Sequence, residues 1–157
     1  MVGTTPAVYE AVNEFPKASL VASLDRAVND NIPAFTQRSV LVCREFSLPF
    51  HVDFNGEMRQ RATDLLTAQY SSEMTAVKSF VEKYGVGVWI LSNDFLVPDY
   101  LSQYDWLVNS LMNEDVMNVR IDLERGEKVA ISGVIPFCSV ERTGEYTVLD
   151  AECILRQ

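Results

Sequence analysis

The chain has 157 residues, of which 48% are hydrophobic and 22% are charged, and its formal net charge is −9. These proportions are typical of a globular chain that buries a substantial core, and they exclude intrinsic disorder. The negative charge argues against nucleic acid and anionic membrane surfaces as partners, because both attract clusters of lysine and arginine.

Two features of the sequence concern membranes. No apolar run approaches the roughly 18 residues that a transmembrane helix requires, so we expect no direct membrane insertion. The first residues, Met-Val-Gly-Thr-Thr-Pro, lack the basic and apolar regions of a secretory signal. The sequence as written therefore predicts a chain that stays in the cytoplasm.

The first third of the chain alternates between short apolar segments and turns. Apolar residues at helical spacing precede Pro16, which ends the first predicted helix. Pro33 suits the first position of a single helical turn. The predicted helix, strand, polar turn, helical turn and strand occupy residues 6–15, 19–23, 25–31, 32–35 and 39–43.

The middle of the chain gives clearer signals. An amphipathic helix is predicted where Met58, Ala62, Leu65, Leu66 and Gln69 recur at the spacing of one helix face. A second helix follows, capped by Ser71 or Ser72 and ended at Gly85, where a left-handed residue is favoured. Residues 86–91 are apolar at nearly every position, which is typical of a strand covered on both faces. We therefore expect Trp89 to be buried.

The last third contains one ambiguous segment. A helix is predicted over 98–111, where the apolar residues recur at helical spacing. Residues 114–125 fit either a strand or a helix, and the helix is preferred. The segments 137–142 and 145–155 alternate on either side of Thr143-Gly144, which predicts a β-hairpin.

Strands separated by helices imply a parallel sheet with right-handed crossover connections. Residues 1–157 therefore predict a single three-layer α/β domain. Its sheet is small, mainly parallel and flanked by helices, and the C-terminal β-hairpin extends one edge.

The three cysteines do not decide the cellular compartment. Cys43 lies in a predicted strand and is most simply a small core residue. If Thr143-Gly144 is a two-residue hairpin turn, Cys138 faces Leu149 and Cys153 faces Val134, which places the two sulfurs roughly 13 Å apart at the usual strand rise. Because a disulfide requires Cα atoms within about 7 Å, we expect Cys138 and Cys153 to remain unpaired.

Polar residues collect just beyond the predicted strand ends. Ligands of open α/β sheets bind outside the carboxyl ends of the strands, so a site is expected here. The candidate ligand-binding rim consists of Asp25, Arg44, Glu45, His51, Asp53, Asn93 and Asp94. Its predicted ligand is a small anion or a sugar.

The rim residues also have structural interpretations. His51 near Glu45 and Asp53 fits a general base oriented by a carboxylate. A single histidine between apolar neighbours is more often structural, and that interpretation is preferred. Arg44 and Glu45 either bind a ligand or pair with charges on the following helix, and pairing is preferred. Arg38 is expected to anchor loop carbonyl groups.

The sequence contains no motif for catalysis or cofactor binding. It has one histidine and no CxxC pair, and it lacks both a phosphate-binding glycine loop and a nucleophile elbow. We therefore predict no metal and no cofactor, and we expect the isolated chain to have no catalytic activity.

Six segments of the chain together resemble a known family. They are NIPAFTQRSVLV (31–42), REF (44–46), LPFH (48–51), MRQRATDLL (58–66), KYGV (83–86) and VLDAEC (148–153). On these segments the chain resembles the soluble C-terminal domain that follows the transmembrane helices of certain cyanobacterial polytopic membrane proteins. These proteins are loosely grouped with the multi-spanning lipid-linked-sugar glycosyltransferases. The resemblance covers nearly the whole chain and rests on structural residues.

This resemblance implies an extracytoplasmic α/β domain whose partner is the transmembrane portion of the same or an adjacent protein. The catalytic carboxylates of such enzymes lie on loops between transmembrane helices, so no catalytic residue carries over to this chain. The predicted function is a non-catalytic accessory domain of a membrane-embedded glycosyltransferase-like protein. One alternative is a free-standing small-ligand-binding protein or enzyme that uses the rim. Another is a scaffold that binds a second protein, for which the acidic surface is the only indication.

Overall fold

The computed structural model describes residues 6–42, 52–101 and 113–157, with only the backbone at 52–55 and 113. The described strands are β1 Leu20–Ala22, β2 Ser39–Val40, β3 Val86–Ser92, β4 Ser139–Arg142 and β5 Tyr146–Asp150. The described helices are α1 Pro6–Asn13, α2 Arg26–Thr36, α3 Val52–Gln69, α4 Met74–Tyr84, α5 Asn113–Glu124, α6 Ile135–Cys138 and α7 Ala151–Leu155. A 3₁₀ turn over Ala130–Val134 precedes α6.

The five strands form one mixed sheet in the order β2-β1-β3-β5-β4. β1 pairs in parallel with β2 and β3, while β5 pairs antiparallel with β3 and β4. The predicted hairpin therefore extends one edge of a parallel core, as expected. The carboxyl ends of β1, β2 and β3 share one edge with the amino end of β5.

Both faces of the sheet are covered, which confirms the three-layer architecture. Val21, Val88 and Ile90 on one face pack with Val12 of α1 and Ile32 of α2 in one buried cluster. The opposite face belongs to a second cluster that includes residues of α3, α4, α5 and α7. Side chains alternate across a strand, so adjacent β3 residues contribute to different cores.

Trp89 occupies the centre of the second cluster and is fully buried, as predicted. Its ring packs against Phe80 of α4 with a centroid separation of 5.1 Å. Its indole N–H donates to Oε1 of buried Gln69 at 3.2 Å. β3 is thus joined to both α3 and α4 through one side chain.

The start of the chain differs from the sequence prediction at α2. The polar segment 25–31 was expected to be a turn before a single helical turn at 32–35, but one helix spans Arg26–Thr36. Asp25 is its N-cap, and its carboxylate accepts the Val28 backbone N–H at 3.1 Å. This cap satisfies a helix donor that would otherwise lack a partner, which favours a helix through Asn29, Asp30 and Asn31 despite their low helix propensity.

The predicted role of Arg38 as an anchor for loop carbonyl groups is confirmed. Its buried guanidinium donates to the carbonyl oxygens of Thr36, Asn13 and Phe15, and to the side chain of Asn13. These bonds connect the entry to β2 with the end of α1.

Several local predictions agree with the described elements. α4 ends at Gly85, which adopts the left-handed conformation at φ 67°. The predicted cap of α4 at Ser71 or Ser72 was wrong, because the N-cap is Glu73 and no side chain caps the helix. The Ser71 hydroxyl instead accepts the N–H of Glu73 in the preceding turn at 3.0 Å. The ambiguous segment 114–125 is helical up to Glu124, as preferred, and belongs to α5. The second strand is shorter than predicted, and the predicted helix over 98–111 falls mostly outside the described residues.

The prediction about the cysteines was wrong, because Cys138 and Cys153 form a disulfide with a Cα–Cα separation of 5.5 Å. The hairpin is not continuous: Ser139, not Cys138, pairs with Leu149. β5 ends at Asp150, whose carboxylate caps α7 by accepting the Glu152 N–H at 3.0 Å. The change from strand to helix brings Cys153 back beside α6.

Candidate functional site

The described members of the predicted rim lie at the shared carboxyl edge of the parallel strands. Asp25 follows β1, and Asn93 and Asp94 follow β3. β1 has its two parallel neighbours on opposite sides, so the edge between β1 and β3 is a topological switch point. Arg44, Glu45 and His51 lie outside the described residues, and Asp53 is described only by its backbone position in α3.

Asp25 is buried and its interactions are structural. Besides capping α2, it is hydrogen-bonded to the Tyr146 hydroxyl, and burial and this carboxylate both raise the pKa of Tyr146. The adjacent Ser23 hydroxyl accepts the Asp25 N–H at 3.0 Å. The Asn29 amide donates to the Ser23 carbonyl at 2.7 Å. These bonds fasten α2 to the end of β1.

Asn93 fastens the C-terminal hairpin to β3. Its amide nitrogen donates to the Thr143 carbonyl at 2.8 Å, and its amide oxygen accepts the Thr147 hydroxyl at 2.7 Å. Its backbone N–H donates to the Glu145 carbonyl at 2.8 Å. The neighbouring Asp94 is exposed. Both hydrogen-bonding groups of the Asn93 side chain are thus used to hold the hairpin turn, while a ligand role for the rim as a whole stays a prediction.

A groove of about 480 Å³, whose lining includes none of the described rim residues, lies between the C-terminal part of α3 and α5. We call it the α3–α5 groove. Its deeper surface is apolar and includes the buried Leu66 and Val129 and the half-buried Val119 and Leu123. Its volume falls within the range of small-ligand sites, about 300–1,000 Å³.

Exposed polar side chains surround this apolar surface. They are Asp115, Asn118, Asp122, Glu127 and Lys128. Within the part of the chain that the structure describes, these five side chains make no hydrogen bond or ion pair with one another or with other residues. Their donors and acceptors are therefore available to a ligand, unlike those of Asn93.

Sequence reasoning did not identify this groove. Asp115, Asn118 and Asp122 are spaced at i, i+3 and i+7, which places them on one face of a helix. That spacing is a usable signal, but the segment also fitted a strand, in which these residues would not share a face. The role of α3 as the opposite wall depends on tertiary packing.

Tyr70 and Ser71 form the end of the groove where α3 stops. The Tyr70 hydroxyl donates to the Phe95 carbonyl at 2.7 Å, and burial raises its pKa. The Ser71 carbonyl accepts the Ala130 N–H at 2.8 Å. These bonds fix α3 against the loops after β3 and α5, so this end of the groove is held by hydrogen bonds on two sides.

The described residues contain neither a side-chain cluster suited to a metal ion nor a helix suited to cross a membrane. No three histidine, cysteine, aspartate or glutamate side chains lie close enough in that part of the chain to hold a metal ion. None of the described helices combines the length and apolar character needed to cross a bilayer.

Comparison with known proteins gives a match of fold. No protein-family model and no curated protein matches the sequence. Among solved structures, the chain is similar to the C-terminal globular domain of an oligosaccharyltransferase from Archaeoglobus fulgidus. The two are 11% identical, the match covers 92% of this chain and 94% of that one, and the TM-score is 0.55. At this identity the similarity shows a shared fold.

Proposed function

We propose that the chain is a non-catalytic accessory domain of a membrane-embedded glycosyltransferase-like protein, and that it shapes or covers the extracytoplasmic side of that protein. The observation that carries this proposal is the fold shared with the oligosaccharyltransferase domain over nearly the full length of both chains. The partner would be a transmembrane portion, encoded with this chain or in an adjacent protein.

The Cys138–Cys153 disulfide supports the extracytoplasmic side of this proposal. Disulfides persist in oxidising compartments and are rare in the cytosol of mesophiles, where thiol reductants keep cysteines reduced. The bond therefore favours the outer side over the cytoplasmic location that the first residues suggested.

The contacts at the rim support a non-catalytic role. Asp25 caps α2, and Asn93 is hydrogen-bonded to the C-terminal hairpin. Both side chains therefore already have hydrogen-bond partners within the fold. A general acid or base must be free to reach the proton that it transfers. The alternative, an enzyme that uses the rim, would have to rely on the exposed Asp94 or on Arg44, Glu45, His51 and Asp53.

Sidedness can be tested in cells that naturally express the chain. Spheroplasts are treated with protease, and the chain is followed by immunoblotting, with a cytosolic enzyme as the control. The proposal expects degradation before lysis and a disulfide that persists when thiols are blocked at harvest. Protection until lysis, together with reduced cysteines, would place the chain in the cytoplasm and refute the proposed location.

The partner can be tested by crosslinking in intact cells, detergent extraction and immunoprecipitation of the chain. The expected crosslinked partner is a polytopic membrane protein, or the chain itself is found as part of a longer membrane protein. A chain recovered entirely in the soluble fraction, with no membrane protein crosslinked, would contradict the proposal.

A further inference from the structure

We propose that the α3–α5 groove binds the uncharged, hydroxyl-rich part of a saccharide. This inference rests on the proposed function and specifies where and how such a domain would contact a sugar. It moves the ligand site from the predicted rim to a surface where the polar side chains are not already engaged.

Charge determines which part of a sugar-bearing substrate fits. Asp115, Asp122 and Glu127 contribute three negative charges to the groove, and Lys128 contributes one positive charge. The carbonyl end of α3 also lies here, at Tyr70 and Ser71, and adds partial negative charge. This potential disfavours phosphate and diphosphate groups. A neutral sugar is not repelled by this potential.

The arrangement of surfaces suits a pyranose ring. Sugar hydroxyls are donors, and the carboxylates of Asp115 and Asp122 and the amide oxygen of Asn118 are acceptors. The C–H face of a sugar can cover the half-buried Val119 and Leu123, since burial of this apolar surface is favourable. A pocket with an apolar interior and a few convergent polar groups is the general form of a small-molecule site.

A second acidic groove provides a matched control. It lies between α1 and β4, has a volume of about 320 Å³ and includes Glu10, Glu14 and Glu141 beside Phe15 and Val140. It has negative charge and apolar surface but no amide side chain among its described lining residues. If negative charge alone were sufficient for binding, both grooves would bind the same ligands.

The experiment is an NMR titration of the ¹⁵N-labelled 157-residue chain with two neutral disaccharides, maltose and N,N′-diacetylchitobiose. We expect saturable shifts of backbone amides in α5 and in residues 70–72 and 127–129 with at least one of them. Asn118→Ala and Asp122→Ala should each weaken binding about tenfold, as expected for loss of a ligand hydrogen bond. Glu10→Ala and Glu14→Ala should leave the affinity unchanged.

Charged probes test the electrostatic argument. Glucose 6-phosphate should bind more weakly than glucose, and disaccharide binding should change little between low and high salt. No shifts with either disaccharide, shifts centred on the α1–β4 groove, or preferential salt-sensitive binding of trilysine would each overturn the inference. Equal thermal stability of the four variants is required before their affinities are compared, and the exposure of all four positions favours this.

The inference and the proposed function can fail separately. A membrane partner found by crosslinking, with no disaccharide bound, refutes the saccharide groove alone. Groove-specific disaccharide binding by a chain that lacks a membrane partner supports the groove and refutes the accessory role.

Discussion

Replacing Trp89 tests whether β3 organises the fold as the structure indicates. The side chain is fully buried, contacts Phe80 and donates a hydrogen bond to Gln69, which is itself 1% exposed. Trp89→Ala removes the indole from the larger core cluster. Truncating a buried tryptophan typically costs about 3–5 kcal/mol, since it leaves a cavity that the surroundings only partly fill.

The polar contact adds to this cost. Without the indole N–H, Oε1 of Gln69 is left buried without this donor, which costs about 1–3 kcal/mol. Together these losses approach the roughly 5–15 kcal/mol that stabilises a typical domain. We therefore expect Trp89→Ala to lose most of its cooperative unfolding transition or to be insoluble.

Trp89→Phe separates the two contributions. It keeps an aromatic ring beside Phe80 but removes the N–H donor, so we expect a smaller loss that leaves the chain folded. Urea unfolding followed by far-UV circular dichroism measures both variants against the parent. A Trp89→Ala variant within about 1 kcal/mol of the parent would show that Trp89 is not buried at the core, because such small effects are typical of surface positions.

The strongest sequence signals for the fold were local. The continuous apolar run of β3 and the left-handed glycine that ends α4 at Gly85 are encoded by neighbouring residues, and both were predicted. α2 was missed because Asn29, Asp30 and Asn31 are common in turns and have low helix propensity. The capping carboxylate of Asp25 favours the start of the helix before them.

The disulfide and the groove depend on tertiary structure. The pairing of Cys138 with Cys153 requires a strand to become a helix after Asp150, within a stretch whose apolar pattern also fitted a longer strand. The groove requires α3 and α5 to pack together, and short segments carry no information about that pairing. The described rim members Asp25, Asn93 and Asp94 lie at one edge of the sheet, as the parallel strands predicted, but the sequence did not reveal that Asn93 would be used by the hairpin.

Three further predictions concern the disulfide, one turn and one ion pair. Replacing Cys138 and Cys153 together by serine should destabilise the fold by about 3 kcal/mol, as expected for closing a loop of about 15 residues, and reductant should no longer alter urea unfolding. Gly85→Ala should cost about 1 kcal/mol or more because its φ is 67°, and circular dichroism melting will measure this loss. Asp64→Asn should lower stability near neutral pH by about 1 kcal/mol or less, since its partner Lys83 is exposed.

The pH dependence of the Asp64 effect has a definite sign. Burial alone would raise the pKa of Asp64, but hydrogen bonds from Lys83, Tyr84 and Gln60 outweigh it and hold the pKa below its ordinary value of 3.8. A carboxyl whose pKa is lowered by folding stabilises the fold above its unfolded pKa and loses that contribution as pH falls through the folded pKa.

The stability difference between the parent and Asp64→Asn should therefore be constant from pH 5 to 7, by the same titration argument. It should shrink below about pH 4, where the unfolded carboxyl becomes protonated. Urea unfolding midpoints of the parent and of Asp64→Asn, measured across this pH range, test this expectation. A stability difference that grows on acidification would contradict the hydrogen bonds assigned to Asp64. Asn is the suitable replacement because it keeps the shape of the side chain; it removes the titrating charge together with one of the two acceptor oxygens, which the amide nitrogen replaces.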